Sequence, residues 1–295
     1  MLISALVWVR ENPAPRPTYP RTGFQTSPRR PYRGTRRGYK MLKIQAPLPE
    51  SYTAAEPGEL AERIGRARSA LGDRLVVLGH HYQRDEVIRW ADATGDSLKL
   101  SHFAASRSSA DFVVFCGVHF MAEAADVLTA NRQQVILPDL NAGCSMADMA
   151  DAEDAEDALA LIAEWLGEDA LIPIVYINSS AALKALVAAA GGSVCTSSNA
   201  QAMMRWAFER SGPAQRVMFL PDQHLGRNTG HQLGLSDDEM LVVDPRLPNF
   251  GLDPVRVARS RLLLWRGHCS LHQRLRPAQI ESFRAAHPDG LVLAH

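Results

Sequence analysis

The sequence predicts an α/β fold made of repeated small three-layer units, each a parallel sheet with helices on both faces. Three observations predict it. Short apolar runs alternate with helical stretches from residue 57 to residue 295, the pattern of strand–helix–strand crossovers in parallel sheets. The alternation itself repeats: LVVLGHHYQ, FVVFCG and VILPD in one half are answered by IPIVYINSS, SVCTSS and VMFLPD in the next, a self-similarity that marks repeated units. Each unit's first strand runs out into polar residues, and strand ends are where open α/β sheets hold ligands.

The elements follow in order. A helix is expected over 57–71, ahead of any strand. The run at 75–79 (LVVLG) reads as the first strand, followed by a helix over 85–94. Strand 112–115 (FVVF), helix 121–130 and strand 134–137 (QVIL) complete a first unit, taken with its leading helix as 41–150. The second unit, 151–270, opens on helix 152–166. Strands 171–177, 193–195, 217–220 and 262–265 follow, with helices 181–190 and 200–210 between the first three. A third unit starts at 271–295, with helix 277–287 and strand 291–294 (LVLA). One strand does not make a stable sheet, so the third unit is expected to be incomplete and the chain truncated after His295. The strand ends at His80, Tyr176 and His295 are expected to point toward a common axis.

Charge divides the chain. Residues 1–40 hold nine of the 32 basic residues and one of the 32 acidic ones, which leaves the rest with 23 basic against 31 acidic. An acidic body has no electrostatic footprint for nucleic acid. The basic head is rich in Pro, Arg and Gly and is expected to be disordered or to lie upstream of a true start at Met41, without a packed core of its own. Its deletion is expected to leave yield and thermal midpoint unchanged. No run of 18 apolar residues occurs, so no transmembrane helix is expected. The four cysteines, Cys116, Cys144, Cys195 and Cys269, lie far apart without a CxxC; this argues against a disulfide framework.

Several segments have the chemistry of a site. His80-His81-Tyr82-Gln83 ends the first strand, and two imidazoles with a phenol can bind an anion or move protons; the bland alternative is a surface loop. Gly95-Asp96-Ser97 reads as a turn or helix N-cap. Tyr176-Ile177-Asn178-Ser179-Ser180 closes a strand and opens a helix, an arrangement suited to a carboxylate or phosphate. Thr196-Ser197-Ser198-Asn199 repeats that chemistry one strand on. Cys144 (NAGCSMAD) and Cys269 (WRGHCSLH) each follow an LPD strand end. Cys116 and Cys195 lie within strand-like runs and read as core residues, the usual place of a scattered cysteine. Neither GxGxxG nor GxxxxGK[ST] is present, so no dinucleotide fingerprint or P-loop is supported.

HHYQ, GDSLKLS, GVHFMAEAA, AGCSMADM, VYINSSAALKA, CTSSNA, LPDQHLGRN and WRGHCSLH occur in this order. Together they resemble the quinolinate synthase A family, from about residue 75 to residue 295. The resemblance implies three α/β units around a pseudo-threefold axis, each giving one cysteine to a central [4Fe-4S] cluster. Cys144 and Cys269 match two of these ligands, and the third would lie in a segment after His295. His80, Ser97, Tyr176, Ile177, Asn178 and Ser197 match iminoaspartate-binding positions. Tyr82 matches a tyrosine of the acid–base steps, and His295 the histidine of a His-Pro-Glu motif with catalytic and binding roles. The implied reaction condenses iminoaspartate with dihydroxyacetone phosphate to quinolinate, with loss of phosphate and water, in NAD biosynthesis. Three thiolates leave one iron open as a Lewis acid. The resemblance also implies a cytoplasmic enzyme with small-molecule substrates and a transient partnership with L-aspartate oxidase. With two placed cysteines, the chain alone is expected neither to hold a stable cluster nor to make quinolinate. The rival readings are an iron–sulfur hydro-lyase and a non-catalytic iron–sulfur or zinc sensor. The sensor is disfavoured by the acidic body, and a zinc site would show close ligand pairs.

Overall fold

The computed structural model describes residues 46–167, 170–211 and 216–293. The head at 1–40 and the candidate His295 lie outside them.

Two parallel sheets organise these residues. In chain order the first half contains α1 (Glu50–Thr53), α2 (Pro57–Leu71), β1 (Leu75–His80), α3 (Asp85–Ile88), β2 (Ala93–Gly95), α4 (Ser97–Ser106), β3 (Phe112–Cys116), α5 (His119–Leu128) and β4 (Gln134–Ile136). The second contains α6 (Ala152–Leu166), β5 (Leu171–Tyr176), α7 (Ala181–Ala189), β6 (Ser193–Cys195), α8 (Ala200–Ser211), β7 (Arg216–Leu220), α9 (Gln223–Gln232), β8 (Met240–Val243), α10 (Pro254–Arg259) and β9 (Leu262–Trp265). Helix α11 (Pro277–Ala286) follows. The strand orders are β2-β1-β3-β4 and β6-β5-β7-β9-β8, and every ladder is parallel.

Side chains on a strand alternate between faces, and the second sheet is buried on both. Val175, Met218, Leu220, Leu263 and Trp265 pack with Ala155, Ile162 and Leu183 of α6 and α7. Their neighbours Ile174, Val217, Phe219, Leu262 and Leu264 pack with Met204 and Ala207 of α8 on the other face. This is the three-layer α/β/α arrangement expected. In the first sheet Leu78, Val113 and Phe115 bury against Leu100 of α4 and Phe120 of α5. No helix among the described residues is long and apolar enough to cross a membrane.

Three expectations are corrected. The helix expected over 85–94 is one turn, α3, and residues 93–95 form β2 instead. Asp92 explains the switch. Its N–H donates to the Val77 carbonyl at 2.7 Å, its carboxylate accepts the Val77 N–H at 2.7 Å, and the chain is thereby laid alongside β1. The strand expected at 291–294 is not formed by residues 291–293. Leu291 and Leu293 are 87% and 94% exposed, and no neighbouring strand takes up their backbone groups. Third, the repeat is offset from the LPD match. β1 lies between β2 and β3, and β5 lies between β6 and β7, so β7 corresponds to β3. The counterpart of β4 is β9, and these two strands precede Cys144 and Cys269. Strand β8, outside β9 at the sheet edge, and helices α4, α9 and α10 were not expected from the sequence.

Candidate active site

Parallel strands bring their carboxyl ends to one edge of a sheet, and the candidate residues leave from those ends. In the first sheet His80 closes β1 and is paired in register with Gly95 at the end of β2. Asp96 then caps α4 through its side chain, which accepts the Lys99 N–H at 2.9 Å. The N-cap reading of Gly95-Asp96-Ser97 thus holds, and Ser97 becomes the first residue of α4. Ser97 is 6% exposed, and its hydroxyl makes no hydrogen bond among the described residues.

His80, His81 and Tyr82 form one aromatic group. The His80 ring lies 4.1 Å from His81 and 3.9 Å from Tyr82, centroid to centroid. Burial, then the neighbouring His81, lowers the His80 pKa to about 4 against a pull upward from Asp96. His80 is therefore a neutral imidazole at physiological pH, able to donate from one nitrogen and accept at the other. The Tyr82 phenol rests 4.0 Å from the Met121 sulfur. Its pKa is raised by burial and then by its electrostatic interaction with Cys144.

The second sheet brings its own group to the same cysteine. Burial pushes the Tyr176 phenol up to about 12. Ser197 opposes that rise by hydrogen bonding, while charge on Cys195, Asp222 and Cys144 adds to it. Tyr82 from the first sheet and Tyr176 from the second thus both feel Cys144. Asn178 is half-buried between buried Ile177 and Ser179. The loop is held by the Ile177 N–H on the Cys195 carbonyl (2.8 Å) and the Ser179 hydroxyl on the Tyr176 carbonyl (2.9 Å). Asp222, in the second LPD, caps α9 through the His224 and Leu225 amides.

The two cysteine loops meet. Ser145 and Ser270, each the residue after a candidate cysteine, are joined Oγ to Oγ at 3.0 Å. Behind them the Trp265 indole donates to the Met149 carbonyl at 2.7 Å. Gly267 lets the loop approach closely, since a Cβ there would lie 2.3 Å from the Pro221 carbonyl oxygen. Cys144 and Cys269 are half-buried. Cys195 is buried in the core as expected, and burial raises its pKa to about 12. Cys116 lies on β3 as expected but is only half-buried, because it ends the strand, opposite Gly79, where the covering helices give out. Among the described residues no group of three or more His, Cys, Asp or Glu could hold a metal ion. The thiols of Cys144 and Cys269 each lie one residue from the Ser145–Ser270 contact, and thiols are the donor type a cluster takes.

His80, His81 and Tyr82 are thus grouped at the end of the first sheet and Tyr176 with Ser197 at the end of the second, with Ser97 beside Asp96 and the Cys144 and Cys269 loops joined through the two serines. Sequence reasoning missed Met121, Asp222, Glu123 and Lys184. All four lay within motifs already singled out, GVHFMAEAA, LPDQHLGRN and VYINSSAALKA, but nothing local showed what they would face.

Residues 62–295 match the family model described as quinolinate synthetase A protein. The chain is 52% identical over 246 residues to a protein of a Nocardioides species named quinolinate synthase, across 82% of this chain and 62% of that one. It is 51% identical over 251 residues to one of that name from Corynebacterium glutamicum (85% and 63%). A Geobacillus kaustophilus protein, also so named, is 50% identical over 257 residues (87% and 68%). The chain therefore spans a little over three fifths of the length of the first two relatives.

Proposed function

Since the chain belongs to the quinolinate synthetase A protein family, we propose that it forms quinolinate from iminoaspartate and dihydroxyacetone phosphate, with loss of phosphate and water. The observation that carries this reading is the joining of the Cys144 and Cys269 loops through Ser145 and Ser270 at 3.0 Å, with the Tyr82 and Tyr176 phenols of the two sheets both sensitive to charge on Cys144. A condensation that loses water needs proton carriers beside an anion pocket, and the two strand-end groups supply both.

The chain's own residues suit the parts. Neutral His80, the Ser97 hydroxyl, the protonated Tyr176 phenol, the Asn178 amide and the Ser197 hydroxyl are donors for the carboxylates of iminoaspartate, and Ile177, whose N–H is held by the Cys195 carbonyl, fixes the loop between Tyr176 and Asn178. A phenol held protonated donates to a carboxylate without giving up its proton. Tyr82, 53% exposed where His80 and Ser97 are 7% and 6%, is the group placed to pass a proton to the second substrate. Cys144 and Cys269 would supply two thiolates to a [4Fe-4S] cluster. Bound there, the cluster supplies a Lewis-acidic iron for a substrate oxygen. His295, outside the described residues, is assigned to binding and catalysis on its match to the family motif alone. Units at 41–150 and 151–270, with a third begun at 271–295, in the cytoplasm and served by an oxidase of aspartate, complete the proposal.

The test is anaerobic reconstitution with iron and sulfide, metal and sulfide analysis, and a quinolinate assay. It is run on the 295 residues and on a chain extended to the relatives' length. Cys116 and Cys195 both sit on strands, so the 295 residues alone are expected to yield no product and the extended chain to yield it. An extended chain loaded with four irons that leaves both substrates unchanged overturns the reading; water added to or removed from a hydroxy acid instead would mark a hydro-lyase.

A further inference from the structure

A group of side chains outside those assigned to substrate and cluster ties the two sheets together beside the site. Glu123 stands on α5. Its Oε2 accepts the Ala181 N–H at 2.8 Å, across 58 residues of sequence. Ala181 is the first residue of α7, so the carboxylate meets an amide that the helix leaves without an internal partner, at the positive end of its dipole. Lys184, one turn on, donates from Nζ to the Ser179 carbonyl at 2.8 Å. The same ammonium lies 5.5 Å from the centroid of the Phe120 ring on α5, within the range of a cation–π contact. Glu123 favours its charged form, although burial takes the Lys184 pKa down to about 8. A carboxylate, an ammonium and an aromatic face therefore join α5 to α7.

What they join is specific. Helix α7 already has a local cap, because the Ser180 hydroxyl accepts the Leu183 N–H at 3.2 Å. The Glu123 bond is thus not needed to start the helix; it comes from the other sheet's unit and fixes where the helix begins. The five residues before Ala181 are Tyr176-Ile177-Asn178-Ser179-Ser180. Ser179 is fully buried. Its N–H is bonded to the Ile177 carbonyl at 2.9 Å, its hydroxyl to the Tyr176 carbonyl at 2.9 Å and its carbonyl to Lys184. The loop is rigid within itself and docked at both of its helix-side handles. Two residues before Glu123 on the same helix is Met121, the contact of the Tyr82 phenol. One helix therefore touches Tyr82 with one side chain and, with another, the first residue of α7, three residues after Asn178.

We propose that Glu123 and Lys184 are positioning residues: they hold the loop carrying Tyr176 and Asn178 at a fixed distance from His80 and Tyr82, and so set the span of the pocket that receives the dicarboxylate. The identity of that ligand rests on the function proposed above; the latch itself does not.

Hydrogen–deuterium exchange on the full 295-residue chain tests the latch. Glu123→Ala is expected to speed exchange across 176–181 about tenfold or more, while β7 and β9 of the same sheet exchange as before, a local opening. Glu123→Gln keeps an oxygen acceptor of the same reach and should restore slow exchange. Lys184→Met should open the same segment. Calorimetric binding of quinolinate is the second arm: about tenfold weaker for Glu123→Ala and regained by Glu123→Gln, in the range of one charge-assisted hydrogen bond. Unchanged exchange at 176–181, an increase spread evenly over the sheet, or failure of Gln to restore protection would each overturn the latch. A wild-type chain that binds no quinolinate yet shows the local exchange pattern would fail the ligand assignment and leave the latch standing.

Discussion

Tyr82 carries a phenol that is half exposed, raised in pKa and in contact with Met121. Tyr82→Phe removes the hydroxyl with little change of volume. In a protein of the relatives' length, turnover is expected to fall about 10²-fold, the effect of removing a proton-transfer group. Substrate affinity should fall less, and unchanged turnover would remove Tyr82 from the reaction. His80 makes a prediction about pH. Its pKa falls from 6.5 to about 4 on folding, so the unfolded chain binds the extra proton between those values. Stability is then lost as pH falls from about 6.5 toward about 4, where the native imidazole also protonates. His80→Asn should flatten that part of a denaturation-against-pH curve, and an unaltered slope would contradict it. That histidines and a phenol end the first strand is legible in HHYQ itself. That His80 is the buried one, 7% exposed, and that Met121 meets the Tyr82 phenol, is not, because 39 residues separate the last two in the chain.

Among elements, α3 is the informative case. It packs so closely on β1 that a Cβ on Gly79 would lie 2.7 Å from Ile88 Cδ1 and 3.1 Å from Ala91 Cβ. Gly79→Ala is expected to cost about 1–3 kcal/mol by overpacking and to displace His80, the next residue. Urea denaturation reads the first and the His80 imidazole resonance the second; wild-type values for both would mean that α3 moves aside freely. Apolar runs fixed most strands almost to the residue, as at Arg216–Leu220 and Leu262–Trp265, since a strand buried on both faces is apolar nearly throughout. The same rule fails for β2. Its Ala93–Gly95 sequence is too short and too bland to read as a strand, and it becomes one because Asp92 docks it on β1.

Across the whole molecule, the two sheets meet through Glu123 and Ala181, Met149 and Trp265, and Ser145 and Ser270. Helix α11 stands apart: it contains no buried residue, and Leu271 and Leu275 before it are 64% and 69% exposed. Removing residues 271–295 is therefore expected to move the thermal midpoint by no more than about 2 °C, as for surface changes that lose no packing. A larger drop in a thermal melt would show that this segment supports the sheets.

By itself the sequence determined the fold class, most of the strands and helices, and the ordered motifs that identify the family. These depend on local composition and spacing, which each segment carries with it. Only the tertiary structure decided the rest. The LPD repeat suggests that β4 and β7 correspond, yet the sheet orders pair β4 with β9, because strand neighbours are set by how crossover helices pack and not by which tripeptide ends a strand. The half-buried position of Cys116 and the reach of Glu123 to the start of α7 have the same origin. Each depends on segments that meet only after both sheets have formed, and a linear pattern has no term for that distance.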